Sequence, residues 1–203
     1  SIMMFGADGM TQRDSIMKSL RESPPKDLDG QRVRDEIIDY WDEEKFGKFK
    51  SKTDKLPRNV FQFSTDNCVI TVRPSGTEPK IKLYCQLLPD GETSGLQGRE
   101  LIQKLRDRSG RIARLVYRDL LKRAGLPTLD DSALQLPDIV AFEHKKNFQE
   151  LTVPALREGL NTGRWASLKE LHAWLSEQTA LMTPGADPLP ALKAPLAHLC
   201  LEW

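Results

Sequence analysis

Between two runs of alternating apolar and polar residues, CVITV and IKLYCQL, the sequence places Val72-Arg73-Pro74-Ser75-Gly76-Thr77-Glu78-Pro79-Lys80. The donors in this stretch suit a phosphate at the end of a strand. Arg73 carries a planar fork that can meet two phosphate oxygens at once and never loses its charge. Ser75 and Thr77 put hydroxyls on either side of Gly76. A glycine there lets the backbone take positive φ and bring N–H groups close to an anion. Pro74 and Pro79 stiffen the two ends, which lowers the entropy lost when the loop is filled. Lys80 and Lys82 add positive potential on the polar face of the second strand. The same residue types also fit a tight polar turn that happens to contain arginine, because Ser-Gly-Thr turns are common and no GxxxxGK[ST] pattern is present.

The elements that must hold this loop are readable from period and punctuation. Ile16, Met17 and Leu20 recur at helical spacing between Thr11 and Glu22, with Thr11 as the expected N-cap, and SPPKDLDG stops the helix. EIIDYW (Glu36 to Trp41) predicts a strand, and the lysine-rich DEEKFGKFKSKTDKLP a long loop or ragged hairpin. The five lysines from Lys45 to Lys55 could touch an anion, but interleaved acids favour a solvated loop. Three strands follow, NVFQF, CVITVR and KIKLYCQL, each alternating with period 2 as in a sheet with one buried and one polar face. A helix from about Arg99 to Ala124 is stopped by Gly125 and Pro127. Its apolar stripe is Leu101, Leu105, Ile112, Val116 and Leu120; Arg106, Arg108, Arg111, Arg114 and Arg118 are assigned to a solvated face.

Residues 126–203 differ in character and predict a mainly helical extension. Pro154 suits the first turn of a helix, and SLKELHAWLSEQTALM carries a capping box (Ser167, Glu170) ahead of Leu168, Leu171, Leu175 and Leu181. The tail is proline-rich, and no catalytic constellation is visible in this part.

The bulk numbers exclude several classes. A chain of 203 residues with 39% apolar and 29% charged residues has the profile of one or two soluble globular domains. A net charge of +1 and the lack of aromatic platforms argue against nucleic-acid binding. No run is long and apolar enough for a membrane span, and SIMMFGADG is no signal peptide. Cys68, Cys85 and Cys200, odd in number and widely spaced, argue against a disulfide framework and for a reducing, cytoplasmic compartment. Cys68 and Cys85 are read as small apolar residues. His144, His172 and His198 have no metal-ligand spacing, so no metal site is expected within this chain. The opening on serine reads as a piece of a longer chain.

VRPSGTEPKIKLY resembles the phosphate-binding loop of the α-D-phosphohexomutase superfamily, which includes phosphoglucomutase and phosphomannomutase. The SGTEPKIK form is closest to the phosphoglucomutase and phosphopentomutase-like branch. DGMTQRDSIMKSLRES resembles the helix that opens the family's last domain, and the helix after Gly98 the one that closes it. The resemblance covers residues 1 to about 124. It implies a C-terminal domain (1–125) of α+β class, with a small antiparallel sheet and helices packed on one face, similar to the TATA-binding-protein fold, followed by the extension (126–203). It implies that the loop grips the phosphate not being transferred, through Arg73, Ser75, Gly76, Thr77 and Lys82, with Lys80 a weaker candidate. No TASHNP-like phosphoserine loop, DGDxDR magnesium loop or GEESG-type sugar loop is present. Magnesium and phosphoserine are therefore expected in upstream domains of the parent chain, which would be partners of this one along with the phosphosugar. The alternative is a non-catalytic phosphate-binding module whose helical tail docks a partner.

Overall fold

The computed structural model describes residues 2–3, 8–46, 58–183 and 187–201. The chain divides into two compact units, one within Ala7–Leu126 and one within Pro127–Trp203; the short strand β1 (Ile2–Met3) groups with the second.

The first unit is α+β. Its sheet runs β4 (Ile38–Asp39), β5 (Phe61–Ser64), β6 (Cys68–Pro74) and β7 (Lys80–Leu87), each antiparallel to its neighbour. Phe61, Phe63, Cys68, Ile70, Val72 and Ile81 lie on the buried face. Each large side chain among them contributes about 1.5–3 kcal/mol by leaving water. Helix α1 (Gly9–Glu22) packs on β5–β7 through Ile16, Met17 and Leu20, and α3 (Gly98–Arg123) packs on β7 and α1 through Ile112, Val116 and Leu120. The three strands and two helices lie where period predicts them, with shifted ends. Helix α1 begins at Gly9, so its N-cap position is Asp8 and not Thr11.

Three features depart from the sequence reading. The segment after α1 forms a hairpin, β2 (Asp27–Leu28) with β3 (Gln31–Arg32), joined by Asp29 and Gly30 at φ 54° and 73°. That is the Asp-Gly pair that a two-residue hairpin loop requires. The expected strand from Glu36 to Trp41 shrinks to Ile38–Asp39, and Asp42 then accepts from the N–H groups of Glu44 and Lys45 to start the short helix α2 (Glu43–Phe46). Lys48, Lys50, Lys52 and Lys55 of the lysine-rich loop lie outside the described residues. The third correction is Arg108, which is not solvated but 6% exposed. It sits four residues before Ile112 on the buried stripe and pairs with Asp90, with Asp29 3.9 Å from its Nε. Asp29 in turn pairs with Arg111 at 2.8 Å.

The ends of α1 and α3 are closed by side chains and by backbone. Arg123 donates to the carbonyl of Ser23 at 2.8 Å, and at 3.1 Å to that of Ser19, which also accepts from the Ser23 N–H at 2.9 Å. Gly125 (φ 67°) then reverses α3, and the N–H of Leu126 reaches the Leu121 carbonyl at 3.0 Å.

The second unit is helical: α4 (Asp131–Leu134), α5 (Phe142–Asn147), α6 (Val153–Thr162), α7 (Leu168–Thr179) and α8 (Leu189–Leu201). Leu136, Val140, Phe148, Leu156, Leu175 and Leu192 are among its core residues. Between α5 and α6 the five residues Phe148–Thr152 wind as a π-helix. Pro154 has no N–H for the carbonyl four residues back, and the looser winding before it accommodates that loss. Ser167 caps α7 by accepting from the Glu170 N–H at 3.3 Å, as predicted, while the Glu170 carboxylate accepts from Ala166 and not from Ser167. Helix α7 stops before Leu181. That residue and Leu168 are exposed, so of the four expected leucines Leu175 is fully buried and Leu171 partly.

Two stability predictions follow from this unit. A Cβ at Gly159 would lie 2.3 Å from the Trp165 ring. Gly159→Ala should therefore cost about 1–3 kcal/mol in urea unfolding followed by tryptophan fluorescence. Lys145 is 2% exposed and donates to the Leu136 carbonyl at 2.6 Å; burial pushes its pKa down to about 8, against the opposing charge of Asp138. Between about pH 8 and about pH 10.4 the unfolded chain holds a proton that the folded chain lacks, so stability should rise with pH across that window. Lys145→Met should flatten the rise, which unfolding curves at pH 7.5 and pH 10 would test.

Candidate phosphate-binding site

Strands β6 and β7 carry the loop between them, and their register fixes what it presents. Val72 pairs with Leu83 and turns inward, so the next pair, Arg73 opposite Lys82, turns to the outer face. Two like charges directly across a ladder repel each other. Among the described residues neither the Arg73 nor the Lys82 side chain forms an ion pair or hydrogen bond. Two cations held side by side without a carboxylate partner are an anion-attracting pair.

The loop is closed by its own backbone. The Ser75 N–H donates to the Lys80 carbonyl at 2.9 Å, and the Lys80 N–H to the Glu78 carbonyl at 2.7 Å. Gly76 and Thr77 stand exposed at the tip, and among the described residues their N–H groups make no hydrogen bond. Gly76 does not take the positive φ expected of it. What it supplies is open space: a Cβ built there would meet nothing within 4 Å.

Ser75 and Lys80 are placed differently from the other four candidates. Ser75 is 5% exposed, and its hydroxyl donates to Glu78 at 3.4 Å. The Lys80 ammonium lies 2.6 Å from the same carboxylate. That hydrogen bond from Lys80, helped by Ser75 and the charge of Lys82, holds the Glu78 carboxyl below its ordinary pKa. The fold thus gathers Arg73, Lys82, Gly76 and Thr77 as free donors, while Glu78 occupies Ser75 and Lys80.

Two residues of the site were missed from sequence. Glu78 is the acid in an otherwise cationic loop, and its charge alone was the signal. Arg13 donates from α1 to the Ser75 carbonyl at 2.7 Å, tying the loop to the helix. It lies three and four residues before Ile16 and Met17, on the helix face that meets the sheet, and that spacing could have found it.

Among the described residues no group of three or more His, Cys, Asp or Glu is arranged to hold a metal, and no helix is long and apolar enough to cross a membrane. No family model matches the chain, and no solved structure does. The chain is similar to phosphoglucomutases of Staphylococcus aureus. With that of strain MSSA476 it shares 40% identity over 85 residues, which are 40% of this chain and 15% of the relative. With that of strain N315 it shares 39% identity over the same length and coverage. The match thus spans only about 15% of the length of these curated relatives. Over those 85 residues this chain is similar to the phosphoglucomutases, and the match fits the C-terminal domain of a phosphohexomutase.

Proposed function

We propose that the first unit is the phosphate-holding domain of a phosphosugar mutase, binding the phosphate that is not being transferred. The carrying observation is the Arg73–Lys82 pair, two cations opposed across β6 and β7, neither side chain in an ion pair among the described residues. On this reading a phosphate bridges them and accepts from the Gly76 and Thr77 N–H groups and the Thr77 hydroxyl. To reach Ser75 and Lys80 it must displace Glu78. Such a clamp reads phosphate and ignores the sugar, so it serves either orientation of a bisphosphate. The Arg13 contact preorganises it by fixing the Ser75 carbonyl.

In the parent protein the phosphoserine would pass its phosphoryl group to the phosphosugar and take back the other phosphate. The phosphoserine and magnesium would come from the parent's other domains. Closure of this unit over the cleft would exclude water from the phosphoenzyme. We place that parent in the cytoplasm, a reading supported by the free thiols of Cys68 and Cys85.

Hydrogen bonds to a charged group contribute about 1.5–3 kcal/mol each, and three or four barely exceed an association cost of roughly 4–15 kcal/mol. The isolated chain should therefore bind phosphosugars only weakly, at around millimolar, without mutase activity; sub-micromolar binding in a calorimetric titration would overturn this. Glu78→Gln should tighten binding of inorganic phosphate, by roughly threefold, because it frees Lys80 and Ser75. In the full-length parent assayed on glucose 1-phosphate with magnesium, Arg73→Ala should lower kcat/KM by roughly tenfold or more, about 1.4 kcal/mol. A parent inactive on glucose, mannose, glucosamine and ribose phosphates would favour the non-catalytic module.

A further inference from the structure

The buried face of the sheet holds two thiols that phosphate binding does not use. Cys68 on β6 pairs directly with Leu87, and Cys85 on β7 with Ile70, so the two cysteines lie diagonally across the ladder. Their sulfurs are 3.8 Å apart, in contact but unbonded. Cys68 is 2% exposed, whereas Cys85 is only half-buried. One thiol is within reach of a small oxidant, and the other waits behind it.

The surroundings treat the two sulfurs differently. The two thiols are in hydrogen-bond contact, and Ser109 and the Arg108 guanidinium also favour charge on Cys85. Together they hold Cys85 down to about 7, while the same contact pushes Cys68 well up. The Nε of Arg108 is buried and, among the described residues, has no hydrogen-bond partner. A half-buried thiol of lowered pKa, beside a buried cation and a second thiol, combines the features that make a cysteine reactive.

We propose that Cys68 and Cys85 form a peroxide-sensitive dithiol that closes reversibly to an intramolecular disulfide. The Cys85 thiolate attacks one oxygen of hydrogen peroxide, the O–O bond breaks, and with one proton taken up Cys85 becomes a sulfenic acid and one water leaves. The Cys68 sulfur then attacks the sulfenic sulfur. The S–S bond forms, the S–O bond breaks, and the Cys68 proton leaves with the hydroxyl as the second water. Two thiols are oxidised by two electrons, and one peroxide is reduced to two waters. Diagonal neighbours start wider apart than a disulfide prefers, so β6 and β7 must draw together. A strained bridge of this kind is easily returned to thiols by a dithiol reductant.

The test uses the whole chain carrying Cys200→Ser, exposed to a few equivalents of hydrogen peroxide at pH 7, then denatured and alkylated with N-ethylmaleimide. The expected product is two hydrogen atoms lighter and takes no alkyl group. Its tryptic digest should contain residues 59–80 joined to residues 83–99, and dithiothreitol should restore two alkylatable thiols. Adding Cys68→Ala should make Cys85 accumulate as a dimedone-trapped sulfenic acid, severalfold above the Cys200→Ser protein. Two thiols still alkylatable, Cys85 as sulfinic acid beside free Cys68, or linkage only between chains would each overturn the proposal. If the Cys68→Ala protein does not fold, the mass and the linked peptide decide alone.

Discussion

The register of β6 against β7 is the constraint on which the first unit depends. Seven residue pairs, from Cys68 with Leu87 to Pro74 with Ile81, leave no freedom in which side chains face inward. A slip of one residue would turn Ile70 and Val72 into water and bury Arg73, exchanging apolar burial for an unpaired charge. The apolar face therefore does more than form a core. By fixing Val72 and Ile81 inward, it forces Arg73 and Lys82 into opposition on the other side. Their repulsion is a local cost that the packing of the inner face sustains, and an anion between them would relieve it.

The same unit carries a second electrostatic arrangement of opposite character. Arg108 is buried and needs compensation, which Asp90 supplies while also capping the turn at Gly91–Thr93. Asp90 also accepts from Asn67 in the β5–β6 turn, so one carboxylate ties that turn, the segment after β7 and helix α3. Arg73 and Arg108 are the same residue type in opposite settings. One is left free on a strand's outer face and the other is enclosed on a helix's inner face. Fold position, not residue type, separates an unpaired outer-face charge from an enclosed structural one.

Period-2 alternation in CVITVR and KIKLYCQL was enough to predict the two strands, their faces and the loop between them. The same kind of argument undervalued Arg108, because five arginines were treated as one face although position 108 is in phase with Ile112, Val116 and Leu120. The Asp27–Arg32 hairpin was legible in its Asp-Gly pair and was passed over as a helix stop. Leu168 and Leu181 follow the capping box in sequence, yet both are exposed, and α7 ends at Thr179 and leaves Leu181 beyond it. Glu78 is the instructive miss within the site. Its position was plain, but its partners depend on a chain reversal that places Ser75 and Lys80 around one carboxylate, and no local pattern encodes that.

The closure of α1 by Arg123 has a consequence for how the chain is made. The carbonyls of Ser19 and Ser23 find this donor 104 and 100 residues further along. On a ribosome the opening helix emerges long before the residue that ties its end, and until then water stands in for the Arg123 guanidinium. Contacts this distant along the chain also slow the search for the native arrangement. The first unit is thus a structure whose earliest-made helix is finished last, and a chain released before residue 123 would carry that helix without its final tie.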